Sequence, residues 1–228
     1  MDPLFMATFK KIIIALADLA LRRVFILFLV AGIIYAHIIN QDVLKLKTLN
    51  YVRPSLMDLK EFADHPARMD KDSFRDILIY YKEVCDLAEE SSEAPAACGV
   101  VAYAYYYSGE KQKSLKYYAK VIKQNGRFFW FFYNLAAIHF NEGHYQQAMD
   151  NFALALKAYP YSMGFFILTK TYQDMAQVSK LTTDDYRRSL DQGYVQAQKM
   201  LMMSKFLLEH PAALNNQPEH PSIDLKLY

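Results

Sequence analysis

The chain has 228 residues, of which 53% are hydrophobic and 22% are charged, and its formal net charge is +2. This size and composition allow one modest domain with its own core, plus an apolar segment outside that core. A nucleic-acid-binding surface needs an excess of Lys and Arg on one face, so the nearly balanced charge predicts that nucleic acid is not a partner.

The N-terminal part of the chain is predicted to associate with a lipid bilayer. Residues 1–23 have apolar side chains on one stripe and are predicted to form an amphipathic helix beside the membrane. Residues 24–39 carry no formal charge and are predicted to cross the membrane as a helix. A buried core helix and a cleaved signal peptide are the alternatives. Gly32 and Ala36 form a pair of small residues that is expected to let another helix approach, although this spacing also arises by coincidence.

The basic residues around the apolar segment predict its orientation. Lys10, Lys11, Arg22 and Arg23 precede it, whereas only three basic residues follow soon after it. The positive-inside rule therefore places the N-terminus in the cytoplasm and the rest of the chain on the outer side. We expect a bacterial inner membrane, with the domain that follows the apolar segment in the periplasm. An organelle membrane is the alternative.

Two cysteines flank a predicted turn. Residues 40–54 are predicted to be a polar connector, and residues 55–94 a degenerate helical hairpin. Cys85 and Cys98 lie at similar distances on either side of the turn that follows. Residues equidistant from a turn face each other in an antiparallel hairpin, so the two thiols are expected to meet and to form a disulfide in an oxidising compartment. The alternative is a pair of small buried hydrophobic residues.

The strongest pattern lies in residues 95–160, where one helical hairpin occurs twice. Its turn contains Gly109 in the first copy and Gly143 in the second, 34 residues apart. After each glycine comes an amphipathic helix with a small residue, an aromatic residue four positions on, and a small or aliphatic residue three positions further. These residues are Ser114, Tyr118 and Val121 in the first copy, and Ala148, Phe152 and Ala155 in the second.

The two copies resemble the tetratricopeptide repeat (TPR) family, whose period is 34 residues. The second copy matches along its length, through Phe132, Leu135, Ala136, Gly143, Tyr145, Ala148, Phe152, Ala155 and Pro160, and the first matches less fully. Residues 161–210 are predicted to contain a degenerate third repeat and a capping helix from Val195 to Glu209, and residues 211–228 a tail. The predicted fold is therefore all-α, with an N-terminal amphipathic helix and a transmembrane helix followed by a short TPR-like α-solenoid.

The resemblance implies a binding face. In a TPR, the first helices of the hairpins line a concave surface that binds extended peptides or partner helices. Residues 128–133 are six consecutive aromatic residues at a helix start, so one or two rings are expected to point outward, although rings of this face can also pack under the neighbouring helix. An apolar or aromatic ligand is expected rather than a carboxylate clamp. The residues implied are Tyr103, Tyr106, Tyr107, Trp130, Tyr133, Asn134, Phe140 and Asn141.

No pattern of residues indicates catalysis, because the six histidines are scattered and no phosphate-binding loop, nucleophile motif or metal-ligand spacing is present. The chain is therefore predicted not to be an enzyme and to need no cofactor, metal or small-molecule substrate. We expect a membrane-anchored protein–protein interaction scaffold that is an accessory or assembly subunit of a larger membrane complex. The alternative is an adaptor or chaperone-like protein whose groove reversibly binds a soluble or secreted client.

Overall fold

The computed structural model describes residues 22–35, 53–87, 93–124, 127–211 and 222–228. The chain divides into two compact units, Met1–Lys47 and Thr48–Tyr228. Regular structure in the described ranges is helical, as the predicted all-α class requires. Residues 22–35 form helix α1 of the first unit. The helices of the second unit are α2 (Leu56–Asp64), α3 (Lys71–Leu87), α4 (Glu93–Tyr107), α5 (Lys111–Gln124), α6 (Phe129–Asn141), α7 (Tyr145–Leu168), α8 (Lys170–Val178) and α9 (Thr183–Glu209).

Helix α1 covers the first part of the predicted membrane span, contains Gly32, and exposes its side chains. No single helix among the described residues is both long and apolar enough to cross a bilayer, and one pair, Tyr145–Leu168 with Lys170–Gln177, passes that test only as two helices bent by 75°. Residues 1–21 and 36–52 are not described. They include Ala36, the end of the span and most of the connector, so the amphipathic helix and the span stay predictions.

The two turns that carry the repeat glycines have the same hydrogen bonds. The N–H of Glu110 donates to the carbonyl of Tyr105, and that of His144 donates to the carbonyl of His139, both at 2.8 Å. Gly109 and Gly143 have φ angles of +83° and +77°. This is the Schellman arrangement, in which the residue after the helix adopts a left-handed conformation that favours glycine.

The helices after these turns bury the residues that the repeat pattern predicts. Ser114, Tyr118 and Val121 of α5 are buried, as are Ala148, Phe152 and Ala155 of α7. In the first copy, the Ser114 hydroxyl donates to the carbonyl of Ala102 at 2.7 Å, which joins α5 to α4. The small, aromatic, small pattern therefore forms the contact between the two helices of each hairpin.

Helices α4 and α6 are buried on nearly all sides. Residues 94–105 of α4 are all buried, and so are most residues of α6. Helix α4 packs against α3, α5 and α8, whereas α6 packs against α5, α7 and α9. The ring of Phe131 on α6 reaches the backbone of α4, since a Cβ placed on Gly99 would lie 2.5 Å from that ring. Central helices of this kind have no polar face.

The chain beyond residue 160 follows a different path from the predicted third repeat. Helix α7 continues through Pro160 to Leu168, and α9 runs without interruption from Thr183 rather than beginning at Val195. A contact with α6 stabilises the continuation of α7. Ser162 is buried, and its hydroxyl accepts the N–H of Phe129 at 2.8 Å. Thr182 and Asp185 form a capping box at the start of α9.

Helices α2 and α3 begin at side-chain caps, and α3 is bonded to α4. The Ser55 hydroxyl accepts the N–H of Asp58, and the Asp70 carboxylate accepts the N–H of Ser73. Cys85 of α3 and Cys98 of α4 form a disulfide, with their Cα atoms 4.8 Å apart. The first predicted hairpin is thus covalently joined to the helix that begins the first clear repeat.

Candidate functional site, a groove that holds residues 222–228

The second unit, Thr48–Tyr228, is the repeat unit. Residues 222–228, the tail segment, lie extended in a groove of this unit. The side chains of Ile223, Leu225 and Leu227 are buried, whereas Ser222, Asp224 and Lys226 are exposed. Alternation of this kind is the period of an extended strand. The face that carries the three aliphatic side chains is turned to the groove, and the opposite face is exposed.

Two asparagines of α6 bind the main chain of the tail segment. The Asn134 amide donates to the carbonyl of Lys226 at 2.5 Å and accepts its N–H at 2.8 Å. The Asn141 amide makes the same pair of bonds to Ile223, both at 2.8 Å. Each asparagine therefore binds one N–H and one carbonyl of an extended main chain. These bonds do not depend on which side chain the bound residue carries.

The two amides are oriented by tyrosine hydroxyls of the neighbouring hairpin. Asn134 donates its second N–H to the hydroxyl of Tyr118 at 2.9 Å, and Asn141 donates its second N–H to the hydroxyl of Tyr106 at 3.2 Å. An asparagine has two N–H donors, so all of them are used at both positions. Burial raises the pKa of Tyr118, so this hydroxyl stays protonated. The two tyrosines, which lie outside the tail segment, thus hold the amides of Asn134 and Asn141 in the orientation that binds a main chain.

The end of the tail segment is bound by its aromatic residue. The hydroxyl of Tyr228 donates to that of Ser179 at 2.9 Å. Its ring centre lies 6.2 Å from that of Phe166 and 6.5 Å from that of Tyr172. The groove therefore ends in an aromatic cluster beside the loop between α8 and α9.

The tail segment does not fill the groove. A cavity of about 360 Å³ lies beside it and is bordered by Tyr103 and Tyr107 of α4 and by Asp224 and Leu227 of the segment. A second cavity, of about 230 Å³, is bordered by Trp130, Tyr133 and Lys226, among others. Burial raises the pKa of Tyr133 to about 12, and the carboxylate of Asp224 adds to the effect.

The free energy that holds the tail segment is a difference between large opposing contributions. Burial of one aliphatic side chain contributes about 1.5–3 kcal/mol, and ordering the backbone of one residue costs about 1–2 kcal/mol. Three aliphatic side chains are buried on a segment of seven residues. Burial alone, about 4.5–9 kcal/mol, falls short of the ordering cost of about 7–14 kcal/mol. The hydrogen bonds to Asn134, Asn141 and Ser179, at about 0.5–1.5 kcal/mol each, offset much of the difference, so the net free energy that holds the segment is modest.

The residues that the resemblance implies for binding occupy several different environments. Asn134 and Asn141 bind the tail segment, and Tyr106 orients one of them. Tyr103 and Tyr107 border the larger cavity, and Trp130 and Tyr133 the smaller one. Phe140 is buried, with its ring centre 5.4 Å from that of Tyr145. Besides apolar side chains, the groove therefore contains two amides that form hydrogen bonds with a main chain, which the expectation of an apolar or aromatic ligand does not include.

The expectation that one or two rings of residues 128–133 point outward is wrong. All six are buried, with exposed fractions of 0–6%. The physical reason is that α9 and the tail segment cover the faces that α5 and α7 leave open. A Cβ placed on Gly193 of α9 would lie 2.4 Å from the ring of Trp130. Close approach at this glycine is what lets α9 cover the ring.

The residues that lie in the groove are absent from the binding residues that the sequence predicts. Residues 211–228 were predicted only as a tail, although Ile223, Leu225 and Leu227 recur at every second position, which is the signal of an extended half-buried segment. The role of Tyr118 was missed because its hydroxyl acts through Asn134. Residues 212–221, which connect α9 to the tail segment, lie outside the described residues.

The described part of the chain contains no group of three or more His, Cys, Asp or Glu side chains arranged to hold a metal ion. His139 and His144 lie beside the second repeat turn with ring centres 5.9 Å apart. Both cysteines are taken up by the disulfide. The expectations of no enzyme activity and no cofactor stay predictions.

The chain was also compared with known proteins. No family model and no curated protein matches it. The resemblance to the TPR family therefore stays a prediction, which stands on the repeat residues quoted above.

Proposed function

We propose that the chain is a membrane-anchored scaffold protein whose helical repeat domain holds another polypeptide in its groove. The observation that carries the proposal is the pair Asn134 and Asn141, each bound to an N–H and a carbonyl of an extended main chain. Because main-chain groups are common to all polypeptides, a site of this kind suits a protein partner better than a small molecule or a nucleic acid.

The TPR resemblance supports the same function. The 34-residue spacing of Gly109 and Gly143 coincides with two turns that share hydrogen bonds and positive φ angles. A stack of such hairpins leaves one concave surface for partners. We therefore propose a short TPR-like solenoid, with α4 and α6 as the first helices of its two clear repeats.

Membrane anchoring and topology are part of the proposal. The apolar run of residues 24–39 supports a span, and the preceding basic residues support a cytoplasmic N-terminus. The Cys85–Cys98 disulfide supports a periplasmic or equivalent oxidising location for the repeat domain. A thiol reagent applied to intact cells tests this topology. Because Cys85 and Cys98 are completely buried, the test uses a Met202→Cys chain, whose new thiol lies at an exposed position. This thiol should react with a reagent that does not cross the membrane if the repeat domain is on the outer side, and should stay unreacted if the domain is in the cytoplasm.

A second candidate function is that of a fixed accessory subunit in a larger membrane complex. It is supported by large apolar side chains that remain exposed on the outer helices. Leu168 and Tyr161 of α7 are 77% and 56% exposed, and Met202 of α9 is 63% exposed. In a fixed subunit, such side chains pack against other subunits.

Purification from native membranes in mild detergent distinguishes the two functions. Co-purification of a partner in constant proportion supports the fixed subunit. A free chain, together with partners that appear only after cross-linking in the membrane, supports reversible binding. If neither purification nor cross-linking recovers another protein, the proposed scaffold function is contradicted.

A further inference from the structure

We propose that the tail segment is an internal ligand, which competes for the groove with an extended segment of the partner protein. The partner segment has aliphatic side chains at three alternate positions, followed by an aromatic residue. This inference rests on the function proposed above. It adds the chemistry of the partner segment and the way in which the chain regulates access to its own groove.

The spacing of the two asparagines sets the geometry of the ligand. Asn134 and Asn141 are two helical turns apart, about 10.5 Å along α6. Ile223 and Lys226 are three extended residues apart, about 10 Å. The agreement lets both amides bind one extended main chain. Because Asn141 pairs with Ile223 and Asn134 with Lys226, the ligand runs antiparallel to α6.

The side chains of the tail segment define what a partner must present. The groove buries Ile223, Leu225 and Leu227, and it binds the ring and hydroxyl of Tyr228. Ser222, Asp224 and Lys226 point to solvent, so any polar residue suits those positions. A partner segment with the same alternation meets the same contacts as the tail segment.

Two features favour exchange over permanent occupation. The amides of Asn134 and Asn141 are oriented by Tyr118 and Tyr106, so the binding groups are set without the tail segment. The cavity of about 360 Å³ beside the segment shows that the groove is wider than its present occupant. A partner with larger side chains has room to bind there.

The test uses the full chain in detergent and a labelled peptide with the sequence of residues 221–228. Leu225→Asp places a charge at a buried position and should release the tail segment. Ser222→Asp adds the same charge at an exposed position and is the matched control. By fluorescence anisotropy, the peptide should bind the L225D chain about ten-fold or more tighter than the wild-type or S222D chain.

Further variants test the mode of binding. In the L225D chain, Asn141→Leu should weaken peptide binding by about ten-fold or more, since it removes both main-chain hydrogen bonds to one residue. A peptide of the same composition with its aliphatic residues adjacent should not bind. Equal binding of both peptides would show a nonspecific apolar surface and would overturn the proposal.

Several outcomes contradict the proposal. If the L225D chain keeps its circular dichroism but does not bind the peptide, the groove accepts no segment from another chain. If it unfolds, the tail segment is a permanent part of the core. If the wild-type chain sediments as a dimer that the peptide dissociates, the segment is exchanged between two copies instead of competing with a partner.

The result also separates this inference from the proposed function. If a protein co-purifies equally with the wild-type and L225D chains while the peptide binds neither, the scaffold function stands and the internal ligand does not. If the peptide binds the L225D chain but no protein is recovered from native membranes, the groove chemistry stands and the scaffold function fails.

Discussion

At the scale of single residues, asparagine is well matched to the role it has in this groove. One amide offers a donor and an acceptor in one plane, which matches the N–H and carbonyl of an extended residue. Asn134 is buried and Asn141 half-buried, so neither amide could be left without partners at low cost. The hydroxyls of Tyr118 and Tyr106 supply one partner each, and the tail segment supplies the others.

Glycine has opposite effects at two positions of the same hairpin. Gly143 has a φ of +77°, and a Cβ there would meet nothing within 4 Å, so the cost of Gly143→Ala is conformational, about 1–2 kcal/mol. Gly164 lies inside α7, where Gly164→Ala should stabilise the chain by about 0.5–1 kcal/mol. Urea denaturation of the two variants measures both changes. The same sign for both would contradict this account of the turn.

His139 makes stability depend on pH. Burial lowers its pKa below the ordinary 6.5, the neighbouring His144 lowers it further, and Glu142 opposes them. As the pH falls below about 6.5, the unfolded chain takes up a proton that the folded chain does not, so the free energy of unfolding decreases until the pH reaches the folded pKa.

Denaturation measured between pH 8 and pH 5 checks this dependence. His139→Gln should make the free energy of unfolding less sensitive to pH over the lower half of that range. Gln147→Ala changes an exposed side chain that does not titrate; it is the control and should leave the dependence unchanged. An identical pH profile for the H139Q chain would show that another group is responsible.

At the scale of secondary structure, α7 shows how packing decides where a helix ends. Proline inside a helix removes one hydrogen bond and disfavours the preceding turn, so Pro160 marks a helix end in most sequences. Here the residues that follow it are held by Phe128 and Phe129 at the start of α6. Ser162 binds the N–H of Phe129, and the ring centre of Phe165 lies 4.7 Å from that of Phe128.

The contact between the helices of the second hairpin allows a matched test. Ala148 is completely buried where α7 meets α6, whereas its neighbour Gln147 is exposed. Ala148→Leu should overpack this contact and reduce the free energy of unfolding by about 1–3 kcal/mol. Gln147→Leu should change it by less than about 0.5 kcal/mol. Similar small changes in thermal denaturation of the two variants would indicate a loose contact.

At the scale of the whole repeat unit, its aromatic residues form one core. The cluster links α4, α6, α7 and α8, and Phe166 of α7 stacks on Tyr186 of α9 with ring centres 3.7 Å apart. Trp130 belongs to this core rather than to a free surface, because α9 packs over its ring at Gly193.

Truncation of Trp130 tests whether the ring is part of the core. Trp130→Ala should reduce the free energy of unfolding by about 3–5 kcal/mol. Tyr161→Ala is the control, because that ring is 56% exposed and stacks with Arg127, a contact that contributes about 1 kcal/mol or less. Chemical denaturation of both variants measures the difference. If the W130A chain is as stable as the Y161A chain, the Trp130 ring does not contribute to the core.

Features that depend on residues close together in the chain follow from the sequence alone. The period of the repeat, the left-handed turns at Gly109 and Gly143, and the helix starts at Ser55 and Thr182 are encoded within a few positions. The buried stripes of α5 and α7 follow from helical periodicity in the same way. The Cys85–Cys98 disulfide could also be predicted, because the two residues are only 13 positions apart, on either side of one turn.

Which elements cover which faces could not be predicted from the sequence, because this depends on contacts between distant segments. The bond between Asn134 and Lys226 spans 92 positions, and that between Asn141 and Ile223 spans 82. No local pattern in α6 indicates that the tail segment covers it, or that α9 covers Trp130. Several distant segments could cover the same surface, and the one that does is the one whose burial there gives the lowest free energy. That choice depends on the packing of the whole repeat unit, so residues close together in the chain do not reveal it.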